Sequence, residues 1–215
     1  MAKGDRIAII DGCRTPFLRS GTAYREMMAY AICRHAVKGL VAKTGIPNDM
    51  VDHVIMGSVL TDVKTTNVAR EIMLAAALPN TIPAYTCTVA CISANAAIIS
   101  AANLIVNGNA DCIIAGGVET FSDPDIKISK NYRRFIMDLT MFKRPKTVVG
   151  KLKLLKGMSF KDFIVPEQPE IGEFSTQLRM GDTADRLAKR LGISQGNQDA
   201  FAALSHNRAA ALPAD

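Results

Sequence analysis

The chain has 215 residues, 48% hydrophobic and 21% charged, a balance that suits a globular protein with a real core and excludes a disordered or fibrous one. Its net charge of +6 is local: from Lys127 to Lys161 every charged side chain but Asp138 is basic, which suits an anionic cofactor, a lipid headgroup or an acidic partner, and not nucleic acid. Five cysteines in no zinc-ligand spacing, no secretory h-region and no apolar run near the ~18–20 residues of a membrane span predict a soluble protein of the reducing cytoplasm.

Along the chain, Arg6–Asp11 is a short β-branched run ended by Gly12, the pattern of a buried strand. Helix formers fill Tyr24 to about Ala42 and stop at Thr44-Gly45. Asp52–Leu60 reads as a strand, and Asn67–Leu78 as a helix ended by Pro79-Asn80. Ala84–Val89 is a third strand, followed at once by a helix from Cys91 to about Val106. A fourth strand, Asp111–Ala115, is broken by Gly116-Gly117. Strands that alternate with helices predict an α/β fold: a parallel-rich sheet with helices on both faces.

The helix after Cys91 carries no charge and no clear polar face. A helix apolar all round is normally buried all round, so it belongs in a middle layer, under this sheet and under something else. After Phe121 the composition changes. Residues 1–121 form the predicted core, and 122–215 a mostly helical loop region that holds the basic stretch. Its last helices divide at Gly192-Ile193-Ser194, with Ser194 as an N-cap.

Cys91 is the candidate nucleophile, because it sits where a strand hands over to a helix N-terminus. Unpaired N–H groups and the helix dipole favour an anion there, and the thiolate is the reactive form of cysteine. A free cysteine at this place also suits a small buried hydrophobe, and the residues alone leave both readings open. His35, His53 and His206 stand in no context that makes any of them its base.

Thr88-Val89-Ala90-Cys91-Ile92-Ser93-Ala94-Asn95 resembles the nucleophile segment of the thiolase family. Four further segments follow the family's order. They are Arg14-Thr15-Pro16-Phe17, Asn67-Val68-Ala69-Arg70, Ala115-Gly116-Gly117-Val118-Glu119 with Ser122, and the pair Met180-Gly181-Asp182-Thr183-Ala184-Asp185 and Gln198-Asp199-Ala200-Phe201-Ala202 with Ser205-His206. The likeness runs from Arg6 to Ala211. Within the family it is closest to the thiolase β subunits of trifunctional fatty-acid oxidation complexes, on Val63–Glu71, on the Cys91 segment and on the basic insert ending in Glu173-Phe174-Ser175-Thr176.

The resemblance implies an N-terminal half of a 3-ketoacyl-CoA thiolase, with Cys91 accepting an acyl group and passing it to coenzyme A in fatty-acid β-oxidation. It implies no covalently bound cofactor, acyl-CoA and CoA as substrates, and a homodimer or higher oligomer that pairs through Ala84–Val89. A partner subunit of a fatty-acid oxidation complex is also implied, while the basic stretch itself suits an anionic membrane surface. The family's acid/base His and Cys belong to a C-terminal half whose motifs do not occur here, so the chain alone is expected to be inactive. Gly116-Gly117 is expected to end a strand. A split thiolase-like protein acting through interaction, and a condensing enzyme of the ketoacyl-synthase kind, are the alternatives.

Overall fold

The computed structural model describes residues 6–122, 124, 126–167 and 172–212. They belong to two compact units, divided after residue 125, each taken below by itself.

The first unit carries α1 (Ala29–Thr44), β1 (His53–Gly57), α2 (Val68–Ala75), β2 (Ala84–Cys87), α3 (Ser93–Val106) and β3 (Ile113–Gly117). The three strands are parallel in the order β2-β1-β3, with Gly57 opposite both Cys87 and Gly117. Strand periodicity sends alternate side chains to opposite faces, and β1 shows it. Val54 and Met56 join Val37 of α1 and Val68, Ile72 and Met73 of α2 in one core. Ile55 turns the other way and packs on Ala97 and Ala101 of α3. Helices therefore cover both faces, as expected for this class.

Local chemistry sets the ends of these elements. Gly45 takes the left-handed conformation (φ 66°) that closes α1, its N–H donating to Val41 O. Asn67 caps α2 by accepting from Arg70 N at 3.2 Å. The same Asn67 donates to Ala84 O at 3.0 Å, and Thr86 Oγ1 accepts from Ala69 N at 3.0 Å. Arg70 donates to the carbonyls of Asn80 and Ile82 at 2.9 and 3.0 Å. The Asn67–Arg70 motif thus ties α2 to β2 and to the loop before it.

Three expectations are corrected. Arg6–Asp11 is not a buried strand: it has no ladder partner among the described residues, and Ile9 and Ile10 are 85% and 77% exposed. A buried parallel strand needs a paired neighbour and cover on both faces, and neither outer strand of the sheet supplies the first. The chain is held here by other means, Lys43 Nζ to Asp11 at 2.7 Å and the Cys13 thiol to Ala36 O at 2.8 Å. The first helix starts at Ala29 rather than Tyr24, after a series of turns. Finally, α3 is buried on one side only: Ser93, Ala97 and Ala101 face inward, whereas Ile98 and Ile99 are 47% and 61% exposed. Within the first unit no element packs on that other side among the described residues.

The second unit is helical: α4 (Lys130–Thr140), α5 (Val148–Lys153), α6 (Phe160–Ile164), α7 (Met180–Arg190) and α8 (Gln195–Ala210). Tyr132 and Phe163 join α4 to α6 with ring centroids 4.9 Å apart. Asp162 accepts from Ser129, Asn131 and Ser159 N, and Arg133 pairs with Glu167 at 3.0 Å. Ser194 caps α8 as expected, accepting from Asn197 N.

At the other end of the sheet, Asp52 ties β1 to β3 by accepting from Asp111 N at 2.7 Å and Cys112 N at 3.0 Å. These backbone donors, Cys112 first and Asp111 second, hold its carboxyl below the ordinary carboxylate range. A depressed folded-state value stabilises the fold above the unfolded value of about 3.9 and loses that contribution as pH falls through the folded one. Urea midpoints of the wild type and Asp52→Asn should therefore differ at pH 7 and converge below about pH 4. A difference independent of pH would show that the Asp52 charge contributes nothing.

Candidate active site

The site forms at the C-terminal ends of the strands, where α3 begins. β2 ends at Cys87, and the chain then turns through Thr88–Ile92 into α3. Cys91 therefore lies two residues ahead of the first helical residue, Ser93, in the turn and not in the helix itself. Its thiol is exposed in this unit.

The turn is held by a dense set of bonds. Ile92 N donates to Val89 O and Ser93 N to Ala90 O, each at 3.2 Å. The Ser93 hydroxyl accepts from Val89 N at 2.9 Å and donates to Ala90 O at 2.6 Å. Ala90, immediately before Cys91, has φ +45°, a left-handed conformation that costs an alanine roughly 1 kcal/mol or more. Next to it, the Cys87 thiol donates to Ser93 O at 3.4 Å and Thr88 Oγ1 to Ser58 O at 2.6 Å.

Beneath the turn lie two glycines that face each other across the ladder. A Cβ on Gly57 would stand 2.2 Å from Ser93 C and 2.4 Å from Ala94 N. One on Gly117 would stand 2.8 Å from Ala94 Cβ and 2.9 Å from Gly57 O. The first residues of α3 thus rest directly on the strand backbones. Gly116 and Gly117 were expected only to break the fourth strand; they are instead the last two residues of β3, and Gly117 is kept bare by the helix above it.

The glutamate of the same motif is also structural. Glu119 accepts from Val59 N at 2.7 Å and Leu60 N at 3.2 Å, with Ser58 Oγ at 3.5 Å. It fastens the loop after β1 to the segment after β3. Ser122 Oγ accepts from Gly21 N at 3.0 Å. Arg14 lies over the Phe17 ring at 4.9 Å, in a segment of the same unit with no regular structure.

The histidines lie on elements other than the turn that carries Cys91. His35 is exposed on α1. His53 opens β1, at the end of the strand remote from Gly57, with its Nδ1 buried and unpartnered. His206 is on α8 of the second unit. Among the described residues no group of His, Cys, Asp and Glu is arranged to hold a metal ion. Two of the other thiols are shifted upward by their surroundings. Burial, and after it the neighbouring Cys13, pushes Cys33 up to about 11. Burial, then the Asp52 charge, raises Cys112.

Fold and site together define an α/β protein that presents one exposed cysteine on a strand-to-helix turn. The chain belongs to the thiolase family: residues 7–215 match the thiolase N-terminal domain. It is 43% identical over 203 residues to the mitochondrial trifunctional enzyme subunit beta of Bos taurus, covering 94% of this chain and 42% of that one. It is 42% identical to a probable 3-ketoacyl-CoA thiolase of Caenorhabditis elegans, covering 94% and 44%. With the 3-ketoacyl-CoA thiolase of Yersinia pestis (strain Pestoides F) the identity is 37%, over 97% and 47%. A crystal structure of the Bacillus anthracis acetyl-CoA acetyltransferase shares the fold, with a TM-score of 0.63 and 24% identity over 87% of this chain and 42% of that one. The chain thus spans less than half the length of these relatives.

Sequence reasoning singled out Cys91 and quoted Gly117, Glu119 and Ser93 within motifs, but gave no role to Ser93 or to Gly57. The signal for Gly57 was a glycine ending an otherwise fully apolar strand, and for Ser93 a hydroxyl in the first turn of an apolar helix. Replacing Gly117 by Ala should destabilise the protein by ~1–3 kcal/mol through overpacking on Ala94 and Gly57 O, and the double variant Gly117→Ala/Ala94→Gly should recover only the part due to Ala94. Urea unfolding of the three proteins checks this; additive losses in the double variant would show that the two residues do not meet.

Proposed function

We propose that this chain supplies the nucleophile of a 3-ketoacyl-CoA thiolase of fatty-acid β-oxidation, with Cys91 as the acyl-accepting thiolate. The observation that carries the reading is an exposed cysteine on a bonded, left-handed turn at the foot of α3, in a chain of the thiolase family. In the reaction, the Cys91 sulfur attacks the 3-keto carbonyl. The bond between C2 and C3 breaks, its electron pair leaves with C2, and protonation of that carbon gives acetyl-CoA. The thiolate of free CoA then takes the acyl group from the Cys91 thioester, and the sulfur of Cys91 is returned. Coenzyme A enters as substrate, and no bound cofactor takes part.

Two proton movements lie outside what this chain brings to Cys91. One group must protonate the leaving carbon and another must accept the proton of the CoA thiol. His35 is on α1, His53 is at the far end of β1, and the nearby Cys87 thiol is engaged with Ser93 O. The reading therefore assigns general acid/base work to residues outside this chain. Purified protein with acetoacetyl-CoA and CoA should form no acetyl-CoA, while limiting iodoacetamide near neutral pH should label Cys91 ahead of the other cysteines. Turnover that vanishes in Cys91→Ala, or faster labelling of Cys13 or Cys112, would contradict this division of labour.

The second unit supports a finer reading of partners. Val148, Val149, Leu152, Phe160 and Ile164 are all at least 60% exposed, among Lys146, Lys151, Lys153, Lys156 and Lys161. Apolar side chains interleaved with lysines fit the interface of an anionic bilayer. No helix among the described residues is long and apolar enough to cross a membrane, so the contact is peripheral. The protein should sediment with anionic vesicles and not with neutral ones, and release should follow rising salt. Equal binding to both would overturn the electrostatic part; salt-sensitive capture by an acidic partner subunit, with no vesicle binding, would replace it. The outer edge of β2 is the place for pairing with a second copy, and the free cysteines suit a reducing cytoplasm.

A further inference from the structure

We infer that Ser93 is a positioning residue for Cys91: its hydroxyl closes the turn that holds Ala90 left-handed and so aims the thiol. The inference rests on the reading of Cys91 as nucleophile, and it concerns a residue two positions away that does not itself meet substrate.

Ser93 is the first residue of α3 and is 4% exposed. Its hydroxyl makes two hydrogen bonds. Both of its bonds run backward across the turn, one accepting from Val89 N and one donating to Ala90 O. Its own carbonyl accepts from the Cys87 thiol. A buried hydroxyl whose capacity is consumed by the two residues before a cysteine is doing a local job, because an unmatched hydroxyl at this depth is costly.

The job is visible in the backbone. An alanine at φ +45° is in a region that L-residues with a Cβ avoid. Left alone, the peptide between Val89 and Cys91 would relax to negative φ, and Cys91 would swing away from the start of α3. The Ser93 hydroxyl engages one polar group on each side of Ala90, its N–H side through Val89 and its C=O side through Ala90 itself, and prevents that rotation. The seat below cannot yield, because Ser93 C and Ala94 N already touch Gly57. The hydroxyl and the seat fix the turn from opposite sides.

The test uses the full chain and limiting iodoacetamide near neutral pH, with peptide mapping. Exposed Cys13 is the internal reference, and buried Cys33 reports unfolding. Ser93→Ala should lower the labelling rate of Cys91 relative to Cys13 by roughly ten-fold or more, with Cys33 still protected. Ser93→Thr, which keeps the hydroxyl, should stay near wild type. Ala90→Gly added to Ser93→Ala should restore much of the ratio, because glycine holds positive φ without help. An unchanged ratio in Ser93→Ala overturns the inference, and so does a fall that neither Thr nor the added glycine corrects. Should Ser93→Ala expose Cys33, Ala90→Val decides with the hydroxyl intact: the inference requires the ratio to fall, and an unchanged ratio overturns it. A wild type in which Cys91 has no advantage over Cys13 would instead defeat the nucleophile reading, an outcome distinct from all of these.

Discussion

Everything at the candidate site depends on how closely α3 approaches the strands beneath it. Helices normally pack on a sheet through side chains, about 10 Å from it. Here Ser93 and Ala94 rest on bare backbone, because Gly57 and Gly117 offer no Cβ at the two places where one would collide. That contact does more than bury area. It fixes where α3 begins relative to the ends of all three strands, and hence where the turn before it must lie. The small residues inside α3, Ala97 and Ala101 against Ile55, continue the close approach along the helix.

From that seat the other features follow in order. A helix start pinned below the strand ends leaves only five residues, Thr88–Ile92, to climb from β2 into α3, and the path requires a reversal at Ala90. The reversal places Cys91 outward and Ser93 inward, which is why one is exposed and the other buried. Glu119 and Thr88 fasten the loop after β1 on either side, so the floor of the site is as firmly bonded as its rim. At the opposite end Asp52 bridges β1 and β3. Among the described residues the sheet has three strands, and both of its ends are closed by side chains to backbone.

Much of this was legible in the sequence. Alternation of apolar strands with helices gave the parallel sheet and its two covered faces, because both features come from local periodicity and from the short reach of turns. Gly45 and Ser194 marked helix ends because capping chemistry is local. The errors came where an element depends on something distant. Ile7–Ile10 has every local property of a strand, but a strand exists only through its neighbour, and no local property names that neighbour. The length of α3 was read two residues too long, because whether Cys91 begins the helix or precedes it is decided by Gly57, more than thirty residues earlier. Ser93 was given no role for a different reason: its partners, Val89 N and Ala90 O, are near in sequence but face it only because Ala90 is left-handed, a conformation that an alanine does not announce.

The exposed face of α3 and the bare Ile7–Ile10 segment point to one physical conclusion. Both are apolar, both belong to the first unit, and both have the composition of buried elements. The inward face of α3 holds Ala97, Ala101 and Leu104, while its exposed face sets Ile98 and Ile99 beside Asn95 and Asn103, with no charged residue. A surface helix normally carries a charged or polar face there. Water selects against such an arrangement at roughly 25 cal/mol for each Å² left bare, while a small domain has only about 5–15 kcal/mol of stability to draw on. The uncharged outer face of α3, with Ile98 and Ile99 bare, therefore suits a helix covered on both sides.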